Sequence, residues 1–211
     1  TIYAQKENSL ITESCELYPI NPYGKTKLTI EIILKDFFEA SKINLKIASL
    51  RYFNPCGAHF SGLIGENPVG KPNNIFPLIL NTALGIQKQL EIYGNDWPTN
   101  DGTAIRDYIH VNDLANAHLL GLDFLESNKG FHVFNLGSEK GFSNKEIISE
   151  CRKLLKKEIY FEIGPIREGD PDVLVADSTK SKEKLGWKLE NNSLEDIIGS
   201  AINFHKNVRN T

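Results

Sequence analysis

The sequence predicts an α/β fold. Short β-rich runs alternate with amphipathic helical runs along the whole chain. Asn21-Pro22 opens a helix, with Asn as N-cap and Pro in the first turn, and a buried run follows it as in a βαβ unit. Ser143-Asn144-Lys145-Glu146 is a capping box, which fixes a further helix start.

In chain order, Leu28, Ile32, Ile33, Phe37 and Phe38 recur at helical spacing to about Ala40. Residues 45–52 then read as a buried strand. Residues 53–74 are rich in Gly, Pro and Asn and read as a loop, long enough to be functional. Residues 75–87 are apolar enough for a helix that tolerates Pro77 near its start. Residues 90–93 form a strand, 95–103 a polar loop, and 106–111 a strand followed by a helix capped by Asn112 or Asp113. Residues 131–136 and 159–163 read as strands. A short helix spans 179–185 and stops at Gly186, and Ser193 caps a last helix from Leu194 to about Val208.

The 211 residues suffice for one large domain or two small ones. With 24 Lys+Arg against 27 Asp+Glu, the formal charge of −3 argues against a dedicated nucleic-acid binder. No apolar run reaches the roughly 18 residues of a membrane span, and no signal-like leader is present. Cys15, Cys56 and Cys151 are far apart and form no C-x-x-C pair, so neither a zinc site nor a disulfide framework is expected, which fits a cytoplasmic setting. The five histidines lack metal-site spacing, and no metal is expected. The chain opens at Thr1 and contains no Met, which predicts a piece of a longer protein.

Tyr23 and Lys27 are spaced i, i+4, so a helix would put them on one face. A phenol titrates near 10, and bringing one to about 7 takes roughly 4 kcal/mol of differential stabilisation. A neighbouring ammonium contributes to that, and a cationic ring such as an oxidised nicotinamide would add the rest. The pair therefore makes sense as an acid/base couple. The plainer alternative is a surface Tyr and Lys. Asn54 opens the Gly-rich loop, and Asn73 and Asn74 close it just before a helix whose N-terminus favours phosphate; one of the last two could equally be a helix cap. Arg106 and Arg167 could clamp a pyrophosphate bidentately, although spacing alone favours two surface ion pairs. Gly62, Gly65 and Gly70 have the wrong spacing for a dinucleotide-binding turn and lie inside the loop.

The stretches NPYGKTK, LRYFNPCGAH, GKPNNIFP, IYGNDWPTNDGTAIRDYIHVNDLANAH, FNLGS and REGDPDVLVAD resemble the extended short-chain dehydrogenase/reductase family. They come closest to the branch that epimerises UDP-hexoses at C4, and they cover nearly the whole chain. The resemblance implies the C-terminal part of a Rossmann-like parallel sheet domain plus a smaller mixed α/β substrate domain. Residues 1–55 would be the remnant of the NAD-binding domain, and 56–211 mainly the nucleotide-sugar domain, with 104–136 returning to the first.

It also implies roles. Tyr23 would be the catalytic base and acid. Lys27 would hold the nicotinamide ribose. Tyr52 and Pro55 would sit near the nicotinamide. Asn54, Asn73, Asn74 and Ile75 would contact the UDP-sugar, Ile92 and Tyr93 would lie along the uracil, and Arg106, Arg167 and Asp170 would hold the pyrophosphate and uridine ribose. Leu174 would gate the 2-substituent of the sugar; being smaller than the Tyr of some members, it implies partial tolerance of N-acetylated sugars. The reaction implied is interconversion of UDP-glucose and UDP-galactose by transient oxidation with NAD, in galactose metabolism, by a cytoplasmic homodimer.

Two departures stand out. The Gly-rich turn and the units around it, on the order of 100 residues, have no counterpart here. The family's catalytic Ser or Thr would fall two residues before Thr1, so Thr1 does not inherit that role and this chain alone is expected to be inactive. The alternatives are another NAD-dependent UDP-sugar epimerase and a non-catalytic nucleotide-sugar-binding fragment.

Overall fold

A computed structural model describes residues 2–3, 10–70 and 72–210. Helix α1 (Pro22–Ala40) starts where the sequence predicts: the Asn21 side chain accepts from the Gly24 N–H at 2.8 Å, and Pro22 occupies the first turn. Strand β1 (Lys46–Tyr52) follows it and pairs in parallel with β5 (Gly130–Leu136), in register from Lys46 against Gly130 to Tyr52 against Leu136. Alternation along β1 separates two faces. Ala48 and Leu50 turn to α3 (Val111–Ser127) and join a core of Ile109, Leu114, Ala117, Phe134, Leu136, Leu185 and Trp187. Ser49 and Arg51 turn to α1, where both bond Glu31.

Past Tyr52 the chain changes sheets. The Phe53 N–H still donates to the Leu136 carbonyl at 3.1 Å, and β2 (Asn54–Cys56) then pairs in parallel with β4 (Ile105–His110). Strand β4 is central: it also pairs antiparallel with β6 (Gly141–Ser143) and parallel with β8 (Val173–Leu174). Strands β3 (Leu90–Tyr93) and β7 (Phe161–Gly164) form a separate parallel pair. Helices α2 (Ile75–Ala83), α4 (Asn144–Leu155) and α6 (Leu194–Asn210) enclose the second core, which contains Phe76, Ile79, Ile92, Tyr108, Ile147, Ile148 and Ile197. The short α5 (Thr179–Leu185) ends at Gly186 in the left-handed region (φ 65°), as its sequence requires. Its Leu185, with Trp187, packs in the core of α3 and β5, so the chain returns to that core a second time.

Several sequence expectations are corrected. The loop over 53–74 contains β2, and β6 and β8 went unpredicted, because two- and three-residue strands carry no periodicity. Helix α2 stops at Ala83 instead of continuing to Gln87; Gly85 turns the chain (φ 73°), and the Gln87 side chain comes back to the Leu78 carbonyl and the Thr82 hydroxyl. The cap of α3 is His110 rather than Asn112 or Asp113: its ring Nδ1 accepts from the Asn112 N–H at 3.1 Å. Asp113 instead accepts from the backbone N–H groups of Glu190 and Asn191, tying α3 to the segment before α6.

The apolar stripe of α1 is only partly covered. Phe38 meets Phe131, and Leu28 packs beside Leu174, yet Ile32, Ile33 and Phe37 are more than half exposed. Among the described residues no helix is long and apolar enough to cross a membrane.

Candidate active site

The end of β1, the start of α1 and β8 converge on a cleft of about 780 Å³. It lies at the carboxyl end of parallel strands where the chain leaves one sheet for another, a placement that α/β folds favour for ligands. Tyr23, Lys27 and Glu31 line one wall, Tyr52, Asn54 and Pro55 a second, and Asn74, Arg106, Asp170 and Leu174 a third.

Tyr23 is 66% exposed, and the Lys27 ammonium sits 5.2 Å from its ring centroid. The i, i+4 spacing has thus placed both on the cleft face of α1, as the sequence predicts. The Tyr52 hydroxyl bonds His118 Nε2 at 2.5 Å, while His118 Nδ1 bonds the Leu114 carbonyl, which fixes Nε2 as the acceptor. Asn74 stands at the N-cap of α2, but its side chain does not cap; it donates to Glu66 at 2.6 Å.

Arg106, like Arg51, is a buried cation of the cleft. Burial pulls its pKa down, and Asp170, Tyr108 and Asp172 offset that only in part. Asp170 stands 4.0 Å away, at the long limit of an ion pair. An under-compensated guanidinium facing a cleft suits a diphosphate.

Five residues expected at the site lie off this cleft lining. Ile92 is 2% exposed and packs in the core, and Ile75 packs against that core, because alternation on β3 and the first turn of α2 turn them inward. Asn73 is exposed beside the cleft. Arg167 stacks on Tyr93, 3.6 Å from guanidinium carbon to ring centroid. Thr1 lies outside the described residues.

Glu31 and Arg51 were not singled out from the sequence, though Glu31 continues the Tyr23, Lys27 spacing by another four residues. Both Glu31 oxygens accept from the Arg51 guanidinium, and Ser49 donates to the same carboxylate at 2.9 Å. Burial pushes the Glu31 carboxyl up, but the Arg51 hydrogen bonds and charge, with the Ser49 hydroxyl, outweigh it and hold it below its ordinary value. A carboxyl depressed in the fold stabilises it above the ordinary value of 4.5 and loses that contribution as pH falls through the lower folded value. Glu31→Gln should therefore lower the melting temperature at pH 7, and the gap from the unaltered protein should narrow in a calorimetric series below pH 4.5. A gap independent of pH would contradict this.

Burial pushes the Cys151 thiol up to about 12 and the Cys56 thiol well above its ordinary value, so neither is a ready nucleophile. Among the described residues no group of three or more His, Cys, Asp or Glu could hold a metal ion.

The residues fit one end of a dinucleotide. A phenol and an ammonium on α1 share the cleft with Tyr52 and Pro55, groups of the kind a nicotinamide and its ribose would need. The glycines that come nearest to a phosphate-binding turn serve another purpose. A Cβ on Gly62 would strike Asn203 and Asn207, and one on Gly65 would come within 2.5 Å of the Phe204 ring, so both glycines seat the loop on α6.

The fold is α/β, and its cleft lies where the chain passes from one parallel strand pair to another sheet. The profile of the NAD dependent epimerase/dehydratase family matches residues 1–137, and the chain belongs to that family. It is 43% identical over 205 residues to a UDP-glucose 4-epimerase of Lacticaseibacillus casei, covering 97% of this chain and 61% of that protein. It is 45% identical over 201 residues to the UDP-glucose 4-epimerase of Bacillus subtilis, covering 95% and 59%. Among solved structures, the UDP-glucose 4-epimerase of Bifidobacterium longum in complex with NAD+ and UDP superposes with a TM-score of 0.93 at 40% identity, covering 99% of this chain and 62% of that one. The chain thus spans about three-fifths of the length of these relatives.

Proposed function

We propose that these residues form the catalytic acid/base pair and most of the sugar-nucleotide site of a UDP-glucose 4-epimerase. The observation that carries this is the Tyr23–Lys27 pair on α1, in the cleft that Asn54, Arg106 and Leu174 also line. The names of the relatives, and the NAD and UDP of the B. longum complex, agree with it.

The chemistry a bound NAD supplies is the acceptance and return of hydride at sugar C4. The chain's own residues do the rest. Tyr23 Oη takes the proton of the sugar 4-hydroxyl and later gives it back. Lys27 holds a positive charge beside that phenol and donates to a ribose hydroxyl. Arg106 and Asp170 hold the diphosphate and uridine ribose, with Arg167 and Tyr93 reaching the same ligand from outside the cleft. Asn54 and Asn74 offer amides to the sugar, whose hydroxyls need both donors and acceptors. Pro55 and Tyr52 shape the wall against the nicotinamide. Residues 1–55 together with the β5 and α3 layer serve the cofactor, and the remainder serves the nucleotide-sugar. The exposed stripe of Ile32, Ile33 and Phe37 fits burial against a second copy of the same helix.

The test is turnover of UDP-galactose to UDP-glucose, without net NAD reduction, by the natural polypeptide that carries these residues. UDP binding with no turnover would favour the non-catalytic reading.

Specificity at C2 follows from Leu174, which lines the cleft and is 9% exposed among Ile2, Tyr3 and Ile11. Its side chain leaves room that a Tyr would fill. UDP-N-acetylgalactosamine should therefore bind within about tenfold of UDP-galactose, the scale of a small fit change in an apolar pocket. Leu174→Tyr should exclude the N-acetylated sugar selectively. Total exclusion by the unaltered protein, measured calorimetrically, would sink the assignment.

A further inference from the structure

Helix α1 must hold two reacting groups in place, yet it buries little of itself: Gly24 is its only fully buried residue among those described. Within this chain Ile30, Ile32, Ile33 and Phe37 are each more than half exposed. One strong polar link ties the cleft face of the helix to β1. Glu31 lies four residues past Lys27 and eight past Tyr23, on the same face, and all three line the cleft. Its carboxylate is held at both oxygens by Arg51 Nε and Nη2, with side-chain exposures of only 12% and 9% for Glu31 and Arg51.

Arg51 is itself locked. It sits on β1, one residue before Tyr52, and its Nη1 donates to the Tyr3 hydroxyl at 2.6 Å and the Glu13 carbonyl at 3.3 Å. A two-pronged guanidinium–carboxylate contact sets a plane as well as a distance, so it resists rotation as well as sliding. We propose that Glu31 and Arg51 are the positioning pair of this site: their ion pair fixes α1, and with it Tyr23 and Lys27, against the wall of Tyr52, Asn54 and Pro55. This rests on the epimerase reading of the cleft.

The lever is long. Eight residues of helix span about 12 Å, so a tilt of about 5° at Glu31 displaces the Tyr23 end by about 1 Å. Misplacement on that scale can cost about 100-fold in rate without weakening substrate binding.

The experiment uses the natural polypeptide with Glu31→Gln, Arg51→Lys, Arg51→Met and the Glu31→Gln/Arg51→Met double variant. It reads kcat and KM for UDP-galactose, calorimetric UDP affinity, and amide exchange across residues 23–31 well below each melting temperature. The expected result is a fall in kcat of at least about tenfold in each single variant, with KM and UDP affinity within about twofold. The double variant should be no worse than the poorer single, and exchange in α1 should be faster in all of them. Arg51→Lys keeps the charge but loses the fork, so it should fall nearly as far as Arg51→Met.

Unchanged kcat, or kcat and UDP affinity falling together, would overturn the proposal. If the unaltered protein shows no epimerase turnover, the functional reading fails, and the exchange data still decide whether the pair fixes α1: unchanged exchange rejects it.

Discussion

Tyr23→Phe is expected to lower kcat for UDP-galactose by about 10²- to 10⁴-fold, the range of a positioned general acid/base. The calorimetric affinity for UDP should stay within about twofold. The separation follows from geometry. The Tyr23 ring is 66% exposed on the cleft face, so removing its hydroxyl leaves no buried donor or acceptor orphaned and no cavity behind. The diphosphate and uridine would be held by other elements, around Arg106 on β4 and the turn before β8. Lys27, whose ammonium lies over the ring, keeps the aromatic face it stacks on in the Phe variant. Lys27→Met should also slow turnover, but with weaker cofactor retention, because it removes a charge rather than a proton carrier. Full activity in Tyr23→Phe would reject the base assignment and leave the cleft as a binding site.

Much of this site was legible in the sequence because its main signals are local. An Asn-Pro helix start, an i, i+4 pair on that helix and the strand after it fix where Tyr23 and Lys27 point. Capping chemistry was readable for the same reason: the Ser143–Glu146 box is present with both of its bonds, at 3.1 and 2.7 Å. What stayed hidden depends on partners distant in sequence. Strands of two or three residues exist only through pairing with β4. The inward turn of Ile92 depends on which face of β3 meets the core. Arg167 and Arg106 look alike as loop and strand-edge arginines, and only the fold places one in the cleft and the other on Tyr93. The role of His110 likewise depends on distant partners: its buried ring caps α3 and bonds Ser200 on α6 at 3.0 Å.

Asp107 shows the same point in energetic terms. Nothing in its spacing marks it, yet it is fully buried and accepts four hydrogen bonds. The Ser138 N–H and hydroxyl come to Oδ1, both at 2.6 Å, and the Glu139 and Ala176 N–H groups come to Oδ2 at 3.1 and 3.0 Å. Burial pushes its carboxyl above the ordinary value, and these donors work against that rise. The shell is tight: a Cβ on Gly137 would meet the Asp107 carboxylate and Ala176, so the donors cannot move far to find new partners.

Asp107→Ala should strand several buried donors at roughly 1–3 kcal/mol each, giving a loss on the order of 4 kcal/mol. For a chain of this length that lowers the melting temperature by about 8–16 °C. Asp107→Asn should do little better. An amide keeps the shape but presents its own N–H groups to donors on one side, so shape alone cannot rescue the site.

The effect should also reach the ligand. Asp107 follows Arg106 on β4, and its bond to Ala176 holds the end of β8, the strand that brings Leu174 to the cleft. UDP-sugar affinity should therefore weaken in Asp107→Asn even at temperatures where the protein remains folded. Unaltered melting in Asp107→Ala would mean that water replaces the carboxylate. Unaltered affinity in a destabilised Asp107→Asn would mean that the neighbouring pairing of β4 with β8 holds Arg106 and Leu174 without it.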